Sequence, residues 1–161
     1  MLSGEVGVST VDHISTFEEL GDFLTKLHDC PFDFERTSFD KVSEIWSGIF
    51  LRPLWEDARA EHRGLPLLYF RTRLPVAEVT LTVARVLSVE VIEDQGIGLY
   101  TFNEIERAPS GLRLLFNQAM QINLQLSGPI EATYEEQPLH DRWAVYRQFM
   151  LVQSGPEIEK A

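Results

Sequence analysis

The side chains best suited to chemistry in this sequence lie close together at His28, Asp29, Cys30 and Asp33. Imidazole, carboxylate and thiolate groups are the usual ligands of zinc and similar metals. In a regular strand, however, neighbouring side chains point to opposite faces, so these groups cannot all bind one ion. The favoured interpretation is structural, with His28 interacting with the end of a preceding helix and Asp29 forming a turn. We therefore predict no metal site.

Cys30 is also the candidate for nucleophilic catalysis, because His28 lies two residues away and could act as its base. The sequence has no G-x-S-x-G elbow, and Gly96-Ile97-Gly98 is followed by no helix that could bind a phosphate. A lone cysteine before Pro31 is typical of a small buried apolar residue. We predict no catalytic residue and no cofactor.

Three aromatic residues, Trp55, Tyr100 and Trp143, are predicted binding residues. Exposed Trp and Tyr side chains often anchor interfaces, although packing in the core or at its rim is the alternative. Trp55 is the strongest of the three because it lies in a charged loop between Arg52 and Arg59.

The charge balance restricts the kind of partner. The chain has 25 acidic and 14 basic residues, a net charge of −11. Nucleic-acid binding requires clustered Lys and Arg, which are lacking, and an anionic membrane surface is disfavoured for the same reason. A basic protein partner is electrostatically favoured, whereas the alternative is that the acidity serves solubility alone.

Length and cysteine content indicate one domain in a reducing compartment. The 161 residues suit a single domain spanning 1–161, with flexible tails at 1–9 and 154–161. One cysteine and no secretory signal predict a cytoplasmic protein. No apolar run reaches about 20 residues, so no membrane span is predicted.

The most regular pattern is the alternation of apolar and polar residues in short runs from Val79 to Leu126. A period of two places one set of side chains on each face of a strand, which predicts an antiparallel sheet with one buried face. The predicted buried set is Leu81, Val83, Val89, Leu124 and Leu126, and the predicted unburied set is Thr80, Thr82, Glu90 and Asn123.

Two segments show helical spacing. Thr16 and Glu19 form a capping box, which predicts a helix over Phe17–Leu27. Leu139, Trp143, Tyr146 and Met150 favour a second helix within Leu139–Val152.

The remaining segments predict short strands joined by turns. Arg85 interrupts the alternation and predicts a bulge or a hairpin at Arg85-Val86. Further strands are predicted over Pro31–Arg36, Glu44–Leu51, Leu65–Arg73, Gly98–Ile105 and Ala119–Leu126, with a turn at Ser38–Asp40 and a loop or short helix over Pro53–Gly64. The predicted fold class is α+β, mostly β: an antiparallel sandwich or half-open barrel of about eight strands, with an N-terminal helix and a possible C-terminal one.

Two segments, Leu27-His28-Asp29-Cys30-Pro31-Phe32 and Leu99-Tyr100-Thr101-Phe102-Asn103-Glu104-Ile105, resemble a pattern in small stand-alone bacterial β-rich proteins. Some of those proteins resemble immunity proteins of bacterial toxin systems. The resemblance implies a β-rich fold and brings no functional residues with it.

We therefore predict a non-enzymatic protein-binding domain, an acidic inhibitor or immunity-type protein. The alternative is a small-molecule-binding protein or an enzyme with an aromatic-lined pocket in the open end of the barrel.

Overall fold

The computed structural model describes residues 11–65 and 68–160. Two 3₁₀ turns lie at Phe34–Arg36 and Asn117–Ala119. The helix and strands are β1 (Val11–Ile14), α1 (Phe17–Thr25), β2 (Pro31–Asp33), β3 (Ser38–Asp40), β4 (Ile45–Pro53), β5 (Glu61–Leu65), β6 (Tyr69–Val83), β7 (Val86–Ile92), β8 (Leu99–Ala108), β9 (Gly111–Phe116), β10 (Gln121–Leu126), β11 (Ala132–Phe149) and β12 (Val152–Lys160).

The fold is α+β, mostly β, as predicted, and its antiparallel sheet does not close on itself. The hydrogen-bonded order is β1-β11-β6-β4-β2-β8-β9-β10-β7, while β12 pairs with β11, β3 with β4 and β5 with β6. The sheet therefore has more strands than the eight expected. No helix in the described part of the chain is long and apolar enough to cross a bilayer.

Arg85, which interrupts the alternation of apolar and polar residues, lies between strands that belong to two distant parts of this sheet. Arg85 adopts a positive φ of 60°, and the next strand, β7, pairs with β10 rather than with β6. The predicted hairpin is therefore wrong, but a register shift of the predicted bulge type occurs where Leu126 pairs with Val86. The Val86 N–H donates to the Glu44 carbonyl at 2.9 Å, which holds the start of β7 against the turn between β3 and β4.

The predicted alternation is confirmed in the core. Leu81, Val83 and Leu124 are buried, and Glu90 is exposed. Thr80, Thr82 and Asn123 are half-buried and so also agree with the prediction. Val89 and Leu126, predicted to be buried, are only half-buried and pack against the edge of the core.

Helix α1 covers one side of this core. The Thr16 Oγ1 accepts from the Glu19 N–H at 3.1 Å, and the Glu19 carboxylate accepts from the Thr16 N–H, so the predicted capping box is confirmed. Leu20 and Leu24 are buried, and the ring of Phe23 stacks on a β11 tyrosine. The helix ends at Thr25, two residues before the predicted end.

The C-terminal helix predicted for Leu139–Val152 is wrong, because most of this segment belongs to β11. Leu139 pairs with Val76 and Trp143 pairs with Pro75, with a register shift between them. The three residues between Leu139 and Trp143 have no partner in β6, so these two residues pair with adjacent β6 residues although they are four apart in sequence. That four-residue spacing resembles the spacing of a helix. Of the flexible tail predicted over 154–161, residues 154–160 instead belong to β12. The tail predicted over 1–9, like Ala161, lies outside the described residues.

Smaller differences occur at the turns. The strand predicted over Pro31–Arg36 ends at Asp33 and continues as a 3₁₀ turn, and the predicted turn at Ser38–Asp40 is the short strand β3. The strand predicted over Leu65–Arg73 is divided between β5 and β6.

Candidate protein-binding groove

A groove of about 490 Å³ runs between β3 and β7. Within the described residues each of these strands has one neighbour, β4 for β3 and β10 for β7. Its apolar lining consists of Phe34, Phe39, Trp46, Val89 and Val91, and its other lining residues are Glu35, Thr37, Ser38, Asp94, Gly96 and Gly98.

Aromatic residues form the buried part of the lining. Trp46 has no exposed surface and pairs across the strands with Phe39. The Trp46 ring lies over Gly48, where a Cβ atom would come within 2.5 Å of the indole, so glycine is required there. The Trp46 Nε1–H is buried and has no acceptor among the described residues. Phe34 contacts the ring of Tyr100 edge to face, with centroids 6.0 Å apart.

The turn after β7 places a carboxylate at the end of the groove. The Asp94 Oδ1 accepts from the Tyr100 hydroxyl and from the Gly96 N–H at 2.9 Å. The Tyr100 oxygen in turn accepts from the Gln95 N–H at 2.7 Å. The hydroxyl bond, followed by the amide bond, lowers the pKa of Asp94. Burial, followed by the bond to Asp94, raises the pKa of Tyr100. Asp94 is therefore ionised at neutral pH.

Glu35 is the second carboxylate of the groove. A Cβ atom at Gly98 would lie 3.0 Å from the Glu35 Oε1, and Gly98 has a φ of 76°. Both the close contact and the positive φ therefore favour glycine at this position. None of the lining residues is a Lys or Arg. The groove therefore combines an apolar floor with two acidic groups that no cation in its lining neutralises.

The three predicted binding residues lie in different surroundings. Trp55 is 54% exposed, and its ring packs on Tyr146 with centroids 4.9 Å apart. Trp143 is half-buried, with the guanidinium of Arg73 4.1 Å from its ring centroid. Tyr100 is 1% exposed, so its ring belongs to the core and its hydroxyl supports Asp94. The structure brings none of the three together, and Tyr100 is the one that contacts the groove.

The candidate nucleophile and metal ligands remain apart from the groove. Cys30 is buried, and burial raises the pKa of its thiol to about 11. His28 and Asp29 form an exposed pair, with the Nδ1 atom 3.1 Å from the carboxylate. Across residues 11–65 and 68–160, no three His, Cys, Asp or Glu side chains converge in a way that could hold a metal ion.

A second exposed surface, here called the hairpin tip, lies where β5 meets β6 and β11 meets β12. The Met150 N–H donates to the Leu68 carbonyl at 3.0 Å, which joins the two hairpins. Behind the tip, Arg71 and Arg147 both pair with Glu159, so the neighbouring charges are matched within the protein. The exposed residues of the tip are Leu65, Leu68, Tyr69, Phe149, Met150, Leu151 and Val152.

The fold and these surfaces define an α+β protein with an open antiparallel sheet and an acidic, apolar groove. No family model, curated protein or solved structure matches the chain.

Sequence reasoning did not identify the groove. Its aromatic residues come from separate elements, and the loop of Asp94 reaches β3 only in the folded chain. The local signal is the pair of glycines at Gly96 and Gly98, which the sequence alone allows only to be excluded as a phosphate-binding loop.

Proposed function

We propose that this chain is a non-enzymatic protein-binding domain that holds a basic, partly apolar segment of its partner in the groove between β3 and β7. The observation that carries this proposal is the composition of the groove lining. It offers five apolar side chains and two carboxylates, Glu35 and Asp94, with no Lys or Arg.

The two kinds of lining have different effects on binding. Apolar surface removed from water supplies affinity, at about 25 cal/mol per Å². The carboxylates select the sign of the partner's charge, and the net charge of −11 steers a basic protein towards the domain. Binding of this kind suits an acidic inhibitor, such as an immunity-type protein, that covers a basic region of its target.

A fluorescently labelled decapeptide of alternating valine and lysine tests the proposal, with a valine–glutamate decapeptide for comparison. We expect the basic peptide to bind and the acidic one not to. Affinity should fall as ionic strength rises from about 0.05 to about 0.5 M, because salt screens exposed charges.

Charge-removing variants locate the binding site. Glu35→Gln combined with Asp94→Asn should weaken the basic peptide roughly fivefold, the effect expected for two exposed charge pairs. Glu56→Gln combined with Asp141→Asn is the matched control, because both residues are exposed and lie outside the groove lining. Equal affinities of the two double variants, or no binding of the basic peptide, would refute the proposal.

A small apolar ligand is the second candidate occupant. The volume of about 490 Å³ lies within the range of small-molecule sites, and Phe34, Phe39 and Trp46 supply aromatic contacts. A neutral apolar dye such as Nile red distinguishes the two functions. Dye binding that the basic peptide does not displace, and that neither Glu35→Gln with Asp94→Asn nor Leu151→Ser with Val152→Thr at the hairpin tip reduces, would favour the small ligand.

A further inference from the structure

We propose that the partner segment binds as an extended strand that pairs with the free edge of β7. This inference rests on the proposed function and specifies how the segment occupies the groove. An added strand satisfies backbone groups along a sheet edge while its alternate side chains enter the neighbouring groove.

The first argument is the edge itself. β7 ends the hydrogen-bonded path of the sheet and, among the described residues, pairs with β10 alone. The Val86 N–H of β7 donates to the Glu44 carbonyl, but no other strand lies along the outer edge of β7 in the described chain. Unpaired N–H and C=O groups on such an edge are a template for another strand.

The second argument is that β7 lacks the features that usually protect an edge. It contains no Pro and no Lys, and its single charged residue, Glu90, accepts from the Asn123 Nδ2 at 3.0 Å on the side of β10. The edge strand β12, by contrast, contains Pro156, Glu157 and Lys160. Proline and charged residues prevent strand addition at edges.

The third argument is the position of the groove along this edge. Val89 and Val91 belong to β7 and also line the groove, which continues to Phe39 and Trp46 on the opposite side. A strand added to β7 would place alternate side chains over these apolar residues. Because Asp94 follows the end of β7, a Lys or Arg at that end of the segment would face its carboxylate.

The test uses the valine–lysine decapeptide and a copy with N-methyl groups on two consecutive central residues. Amides of consecutive residues point to opposite edges of a strand, so the methyl groups block pairing on both edges. We expect the methylated peptide to bind at least about fivefold more weakly, since one hydrogen bond of about 1 kcal/mol is lost whichever edge of the peptide faces β7.

Hydrogen exchange gives the direct measurement. The unmethylated peptide should slow exchange of the β7 amides that do not pair with β10, while the amides of β12 should be unaffected. Equal binding of both peptides would overturn strand pairing but leave groove binding standing. Slowing at β12 instead of β7 would place the peptide outside the groove and overturn both proposals, because no residue of β12 lines the groove. Failure of the basic peptide to bind at all would overturn both proposals.

Discussion

At the scale of single residues, Tyr100 and Asp94 show how a core aromatic supports a surface charge. The Tyr100 ring is buried, and its hydroxyl donates to a carboxylate that lines the groove. Because this bond lowers the pKa of Asp94, its contribution to stability is complete above the carboxyl's ordinary pKa of 3.8. The contribution is lost as the pH falls through the lower pKa of the folded state.

Tyr100→Phe removes the hydroxyl and keeps the ring. We expect the variant to be less stable at neutral pH and to lose less stability than the native protein below pH 3.8. Urea unfolding between neutral and acidic pH measures both effects. Parallel stability curves for the two proteins would show that the Asp94 bond has no influence on stability.

Trp55 lies at the boundary between packed and exposed side chains. Its ring is half exposed and packs on Tyr146, whose pKa is raised to about 12 mainly by burial. Trp55→Ala should cost about 1 kcal/mol and lower the pKa of Tyr146, because the tyrosine becomes more accessible to water. Chemical denaturation and absorbance titration of tyrosinate measure these changes. A variant with unchanged stability and unchanged titration would mean that the indole does not cover Tyr146.

At the scale of elements, two glycines have opposite roles. A Cβ built at Gly21 in α1 would have no atom outside the adjoining helix backbone within 4 Å, whereas a Cβ at Gly111 would lie 1.8 Å from the Leu124 carbonyl oxygen. Gly21→Ala should stabilise the protein by about 0.5–1 kcal/mol, because glycine has more freedom in the unfolded chain.

Gly111→Ala should destabilise it by at least about 2 kcal/mol, since the backbone of β10 must move. Each glycine variant serves as the control for the other in thermal unfolding. Unchanged or raised stability of Gly111→Ala would contradict the close packing of β9 against β10.

At the scale of the whole molecule, about half of the exposed large apolar side chains of the described residues lie in one place. The hairpin tip gathers seven exposed large apolar side chains, of which Leu151 is 87% exposed. Leu151→Ser combined with Val152→Thr should reduce fluorescence of a bound apolar dye and change stability by less than about 0.5 kcal/mol.

Val42→Ser is the control, because Val42 is 96% exposed but is not part of the tip. An equal loss of dye fluorescence from both variants would mean that the tip does not act as a continuous surface.

Local sequence determined the elements whose stability depends on near neighbours. The capping box at Thr16 defines the start of α1, since its bonds lie within one turn. Period-two alternation predicted the buried face of β6 and β10, because opposite faces of a strand follow from backbone geometry alone. The antiparallel, mostly β fold could therefore be predicted from the chain itself.

Tertiary structure determined the features that depend on distant pairing. β11 is a strand rather than a helix because β6 supplies its backbone partners, and a bulge brings Leu139 and Trp143 beside neighbouring residues of β6. The groove likewise requires β3 to contact β7 and the Asp94 loop, although β3 lies far from both in sequence. In a regular strand Phe34 and Glu35 would face opposite ways, and the 3₁₀ turn allows both to line the groove. The local sequence pattern does not determine such long-range contacts, because they depend on which strands become neighbours when the sheet forms.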